Sequence, residues 1–207
     1  MNMAQHKLSL PLQEVDTLKL RVGDVIYVSG TLFMARDEAH HRALDLAKQG
    51  KSLPIPTEGL GVFHCGPVVK QSSSGIWKVM AAGPTTSSRM NIFEPEFIEK
   101  FGIRLVIGKG GMDDRTLEAL RKFKAVYCAF TGGAGVLATR GIRNSEMKEV
   151  HWLDLGTPEA LWVFEADSFG PLIVAMDAFG GSLYNQVREQ ARNNIKNIEK
   201  KLGLTLS

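Results

Sequence analysis

Three short segments each offer a cation, and two of them surround it with glycines or small hydroxyls that leave donors free. They are Ala35-Arg36-Asp37, Gly83-Pro84-Thr85-Thr86-Ser87-Ser88-Arg89-Met90 and Gly108-Lys109-Gly110-Gly111. An arginine grips a carboxylate through two parallel N–H donors, and a lysine supplies a point charge. Arg36, Arg89 and Lys109 together therefore suit a small polyanion, either a dicarboxylate or a phosphate. A lone arginine at a strand end is ordinarily a solvated surface residue, so the weight rests on the three together. Thr85 and Thr86 have two readings: they cap the helix that follows, or they present hydroxyls to a ligand. Gly108-Lys109-Gly110-Gly111 resembles a shortened phosphate loop but lacks its full spacing and its Lys-Ser/Thr pair. Thr131-Gly132-Gly133-Ala134-Gly135 is as unspecific, and lets a helix approach a sheet closely. His40 and His41 are consecutive on a predicted helix, point different ways and make poor joint ligands, while His64 reads as a core or edge residue. Only two cysteines occur, Cys65 and Cys128. Two thiols make no disulfide framework and cannot ligate an iron–sulfur cluster or a structural zinc unaided.

The elements around these segments place all three at strand ends, where ligands bind in α/β sheets. Leu8, Leu10 and Leu12 alternate and suggest a strand. Val25-Ile26-Tyr27-Val28 and Thr31-Leu32-Phe33-Met34 read as one long strand, with Gly30 marking a bulge or a close backbone approach. Asp37 is the expected N-cap of a helix carrying Ala39, Ala43, Leu44 and Ala47, stopped by Gly50. Strands follow over 61–65 and 76–82. From Gly83 the pattern becomes strand–helix alternation. It has a helix over 93–101, a strand over 105–107, a helix over 114–123 and a strand over 125–130, which implies parallel pairing. Two later strands are expected over 161–166 and 171–177. The last helix, over 182–202, bears Leu183, Val187, Ala191, Ile195, Ile198 and Leu202 as one apolar stripe, most simply a docking face. The expected fold is α/β: a single domain over 1–207, with a β-rich first half around a central βαβ layer.

Composition narrows the classes of partner. The 207 residues are 44% hydrophobic and 23% charged, which is ordinary for a globular chain and excludes disordered, collagen-like and coiled-coil classes. Lys plus Arg at 25 against Asp plus Glu at 22 leaves +3, and no basic run concentrates it, so neither nucleic acid nor a membrane surface is an expected partner. The N-terminal residues contain no apolar signal region, and the uncharged stretch over 125–139 is too short and too rich in glycine to span a bilayer. The expected location is the cytoplasm.

The motifs occur in an order that carries more information than any one of them. They are Gly23-Asp24, Ser29-Gly30-Thr31, Arg36-Asp37 with His40, His64-Cys65-Gly66-Pro67, Gly83-Pro84-Thr85-Thr86 with Arg89-Met90, Gly108-Lys109-Gly110-Gly111-Met112, Val150-His151-Trp152 and Phe169-Gly170-Pro171-Leu172. This set resembles the β subunit of the iron–sulfur hydro-lyases: class I fumarate hydratases and L(+)-tartrate dehydratases, whose single-chain members carry the same piece as a C-terminal domain. The likeness runs from about Leu10 to Leu183. It implies a swivelling β/β/α domain and an oxygen-sensitive [4Fe-4S] cluster held by three cysteines. With two cysteines here, the cluster falls to a separate α subunit in an expected α2β2 assembly, with the active site between chains. Carried over by position, the resemblance makes Arg36, Thr85, Arg89 and Lys109 substrate-contacting residues, and Thr85 the catalytic base. Single-chain fumarases typically read Thr-Thr-Ala-Gly-Arg-Met-Asp and Lys-Gly-Asn. Here the text is Thr85-Thr86-Ser87-Ser88-Arg89-Met90-Asn91 and Lys109-Gly110-Gly111, closer to the two-subunit enzymes. The implied reaction is hydration of fumarate to (S)-malate. L-tartrate dehydration to oxaloacetate and a non-catalytic anion-binding module are the alternatives.

Overall fold

The computed structural model describes residues 3–202. Its sheet runs β1 (Gln5–Ser9), β2 (Val25–Met34), β3 (Gly61–Phe63), β6 (Leu105–Gly108), β7 (Val126–Ala129), β9 (Leu161–Met176), β8 (Ile142–His151), β5 (Trp77–Ala81) and β4 (Val68–Gln71). The first five of these strands are parallel; for β6 and β7 this is the pairing that the strand–helix alternation after Gly83 predicts. β9 then runs antiparallel to β7 and, along its length, antiparallel to β2. β2, β3, β6, β7 and β9 thus close into a ring.

Side-chain alternation along those strands divides the apolar residues into two cores. Ile26, Val28, Leu32, Phe63, Ile107, Phe164 and Phe169 face one of them. Phe33, Val62, Val106, Tyr127 and Val163 face the other. The second core is covered by α2 (Asp37–Lys48), α3 (Glu94–Phe101) and α4 (Asp114–Lys122). Two one-turn helices, α1 (Glu14–Thr17) and α5 (Gly135–Ala138), and a C-terminal helix, α6 (Leu183–Leu202), complete the set.

Four expectations are corrected. The predicted strands over 161–166 and 171–177 are one strand, because β2 bends with β9 through register shifts between Ile26 and Val28 and between Val28 and Gly30. Gly30 allows that bend: its φ is +109°, and a Cβ there would lie 2.8 Å from the Leu10 carbonyl oxygen. Strand content is not concentrated in the first half, since β9 and the unforeseen β8 both lie in the second. The α2 N-cap is Arg36 rather than Asp37, which sits inside the first turn. Finally, the α6 stripe does not dock on this chain beyond its first turn. Leu183 packs on the second core, whereas Val187, Ile195 and Ile198 are exposed; the side chain of Leu202 lies outside the described residues. Among the described residues no helix is long and apolar enough to cross a membrane.

Candidate functional site

Arg36 leaves the end of β2 beside Ala35 and opens α2. Its Nη2 lies 3.1 Å from Glu159 Oε1 and 3.9 Å from Asp37 Oδ2, and its buried Nε has no partner. Arg89 ends a 3-10 turn over Ser87–Met90, and its half-exposed side chain donates from Nε to Asp37 Oδ1 at 3.0 Å. Lys109 follows β6 and forms no salt bridge among the described residues. The three cations therefore enter the site with two acids, Asp37 and Glu159, which the sequence reading did not assign to it. Spacing alone gave no sign of Glu159, which lies 123 positions beyond Arg36 in the chain.

The Thr85 loop is fixed through its backbone. Thr85 N–H donates to the His64 carbonyl at 2.7 Å, and Pro84 forms an isolated bridge with Cys65. One residue on, Thr86 bridges Lys109, and Ser87 N–H donates to the Lys109 carbonyl at 2.9 Å. Neither threonine caps a helix with its side chain: Thr86 precedes the 3-10 turn without a side-chain cap, and α3 begins after Phe93. Both hydroxyls are thus left for other partners. The Arg36, Thr85 and Lys109 segments converge at the end of β3, and Asp37 ties Arg89 to them.

Beneath them lies a polar cluster sealed from solvent. His64 Nε2 is 2.9 Å and His40 Nε2 is 3.4 Å from Glu94 Oε2, all three side chains having 0% exposure. His40 Nδ1 donates to the Arg36 carbonyl at 2.8 Å. His64 Nδ1 and Ser87 Oγ share a hydrogen bond of 3.0 Å, and Tyr127 donates its hydroxyl proton to Ser87 Oγ at 3.1 Å. Gly108 makes room for this pair, since a Cβ there would fall 1.9 Å from Ser87 Oγ and 3.2 Å from His64 Nδ1. Burial pushes the Glu94 carboxyl up. The charge and hydrogen bond of His64, with the His40 ring close by, outweigh that effect and hold it down at about 2.

His64 is a core residue, as the sequence suggests, but the joint role of His40, His64 and Glu94 was not legible. The missing signal is that Glu94, an acid on a helix, turns inward. These three side chains bring ligand-type atoms within 4.8 Å of one another. His64 Nε2 and Glu94 Oε2 are hydrogen-bonded to each other at 2.9 Å, whereas the buried His40 Nε2 and Glu94 Oε1 have no hydrogen-bond partner among the described residues.

Neither cysteine suits an iron–sulfur cluster. Cys65 and Cys128 are free and fully buried in the first core. Burial pushes the Cys65 thiol up to about 12, against a smaller lowering by Arg36, and pushes Cys128 further in the same direction. A cluster ligand must be a thiolate, so these residues do not fit that group.

The cavity of about 700 Å³, lined by residues such as Lys51, Pro54, Glu58 and Lys100, includes none of the four candidate residues. Close to them in the chain or through Gly83 are three exposed apolar residues, Ile92, Val136 and Leu137. Gly135, which precedes Val136, packs against Gly83.

The family model for the Fumarase C-terminus matches residues 2–187. L(+)-tartrate dehydratase subunit beta of Escherichia coli (strain K12) is 45% identical over 176 residues, which is 85% of this chain and 85% of that protein. A putative L(+)-tartrate dehydratase subunit beta of Methanocaldococcus jannaschii is 38% identical over 188 residues, 90% of this chain and 95% of that protein. A putative fumarate hydratase class I of Geobacillus stearothermophilus is 35% identical over 192 residues, 93% of this chain but 36% of that protein.

Proposed function

This chain belongs to the Fumarase C-terminus family, and from that premise we propose that it is the β subunit of a hydro-lyase that adds water to fumarate to give (S)-malate. The observation that carries the reading is the meeting of the Arg36, Thr85 and Lys109 segments at the end of β3, with Arg89 tied to them through Asp37. Fumarate carries a negative charge at each end. Removing a proton beside a carboxylate, in the reverse direction, builds further charge on that carboxylate. Cations fixed where the charge develops lower the barrier. Arg36 and Arg89 are held in place by Glu159 and Asp37, so they meet the substrate with little reorganisation.

In this proposal Arg36, Arg89 and Lys109 bind the two carboxylates, and Thr85 moves the proton at C3. A threonine hydroxyl is a weak base, and the role requires the neighbouring positive charge to favour its deprotonated form. The [4Fe-4S] cluster that the resemblance implies finds no fitting cysteines here, so in this proposal it belongs to an α subunit docked over these segments. The apolar Ile92, Val136 and Leu137 beside the site suit such a contact. A single domain over 1–207 that swivels against that partner, in an α2β2 assembly, completes the proposal.

A second reading, L(+)-tartrate dehydration to oxaloacetate, is favoured by the 45% and 38% identical relatives, both named as tartrate dehydratase β subunits. The test is co-expression with the cysteine-rich partner, anaerobic reconstitution and parallel assays on fumarate, (S)-malate and L(+)-tartrate. Turnover of fumarate and malate supports the first reading, and turnover of tartrate alone replaces it with the second. Inactivity on all three, with a loaded cluster, leaves the anion-binding module.

A further inference from the structure

Glu94 is a charged side chain at 0% exposure beneath the candidate residues, and the reaction proposed above makes no use of it. Burying an ionised carboxylate is costly unless partners satisfy it. Here His64 hydrogen-bonds Oε2 and His40 Nε2 lies 3.4 Å from the same oxygen, while Oε1 has no partner among the described residues, so the acid depends on those two rings alone. Each ring holds a different part of the candidate site on its other side. His40 donates from Nδ1 to the carbonyl of Arg36. The backbone carbonyl of His64 accepts from Thr85 N–H, while its ring shares a hydrogen bond with Ser87, whose own N–H donates to the Lys109 carbonyl. Three segments that are distant in sequence are therefore referred to one buried acid.

We infer that Glu94 is a positioning residue for the hydro-lyase reaction: it fixes the two histidine rings, and through them the relative placement of Arg36, Thr85 and Lys109. This inference rests on the proposed function for the identity of the reaction, but not for the coupling itself. Loss of the Glu94 charge frees both rings to rotate. Arg36, Arg89 and Lys109 still attract a dianion by charge, so binding persists while the reacting geometry loosens. A misplacement of about 1 Å is enough to lower a rate by about 10²-fold.

The test uses the assembled two-chain enzyme carrying Glu94→Gln, with His40→Asn as a second variant. Asn keeps a donor where Nδ1 stood, towards the Arg36 carbonyl, and breaks the link to Glu94. Leu20→Ala, a core truncation far from the cluster in sequence, serves as a control matched for loss of melting temperature. The expected result for either cluster variant is a kcat on fumarate or L(+)-tartrate lower by about 10²-fold, with KM changed less than about 3-fold. Leu20→Ala should keep its kcat. Hydrogen exchange of the peptide spanning 83–90 should also accelerate in the cluster variants and not in the control.

Wild-type kcat and unchanged exchange in both cluster variants would overturn the inference. So would an equal fall of kcat in Leu20→Ala, or one tightly bound metal ion per wild-type chain that Glu94→Gln abolishes. If the wild-type enzyme turns over neither substrate while exchange still accelerates at 83–90, the coupling stands and the proposed reaction fails.

Discussion

Arg89 Nε lies 3.0 Å from Oδ1 of Asp37, so an acid on the first turn of α2 holds a cation that follows β5 by eight residues. The contact costs Arg89 one N–H and leaves its terminal nitrogens for a ligand. Arg89→Ala should lower kcat/KM by roughly 2–5 kcal/mol, the range for truncating one partner of a charged pair. Arg89→Lys should not restore activity, because a single ammonium cannot hold Asp37 and also grip a carboxylate at two points. Steady-state kinetics of the two variants checks both statements.

Arg36 and Lys109 should separate in their effects. Each alanine variant should lose activity on the same scale, roughly 2–5 kcal/mol in kcat/KM. Arg36→Ala also leaves Glu159 without its partner at 3.1 Å, so it should lower stability by about 1 kcal/mol. Lys109→Ala breaks no described ion pair and should unfold as the wild type does. Urea melts beside the kinetics resolve the two.

Thr85→Val preserves shape and removes the hydroxyl. With Thr85 as base, kcat should fall by about 10²-fold or more while KM changes little. Solvent-deuterium exchange at malate C3 reports the proton transfer directly, and wild-type exchange in Thr85→Val would assign that step to another group. Thr85→Ser near wild-type activity together with that exchange would leave Thr85 an orienting donor.

Acid stability should follow Glu94. Its carboxyl is held at about 2 when folded, against an ordinary 4.5. The folded form therefore binds its proton less readily than the unfolded chain. The resulting stabilisation, of order 3 kcal/mol, is complete above about pH 4.5 and is lost as pH falls towards 2. Denaturation midpoints measured across that window should fall in the wild type and flatten in Glu94→Gln.

Cys65→Ala combined with Cys128→Ala should leave the iron content of the assembled enzyme unchanged. Iron analysis and the visible spectrum check this. In the folded wild type, Cys65, at about 12, should resist alkylation at pH 8.

The parallel pairing of β6 with β7 was legible because strand–helix alternation and glycine stops are local signals. β8 was not legible. Its exposed polar residues and the left-handed Asn144 and Ser145, at φ of 54° and 51°, break the alternation that marks a strand. β9 looked like two strands because Gly170-Pro171 reads as a turn, and only its long pairing with β2 carries it through. The Arg36, Thr85, Arg89 and Lys109 segments were legible as strand-end loops. Glu159, Asp37 and Glu94 were not assigned to the site, because an acid's role there depends on which way the fold turns it.

The pairing of β9 with β2 has a bearing on how the chain is made. Residues from Val25 must wait for partners reaching Ile173 before the ring closes, and contacts so remote in sequence slow folding. On the ribosome, Arg36, Thr85, Arg89 and Lys109 all emerge well before that strand does. Their backbones meet through β3 and β6, while one flank of β2 still awaits its neighbour. A nascent chain stalled near residue 130 would thus hold every candidate side chain and still lack the wall against which they are set.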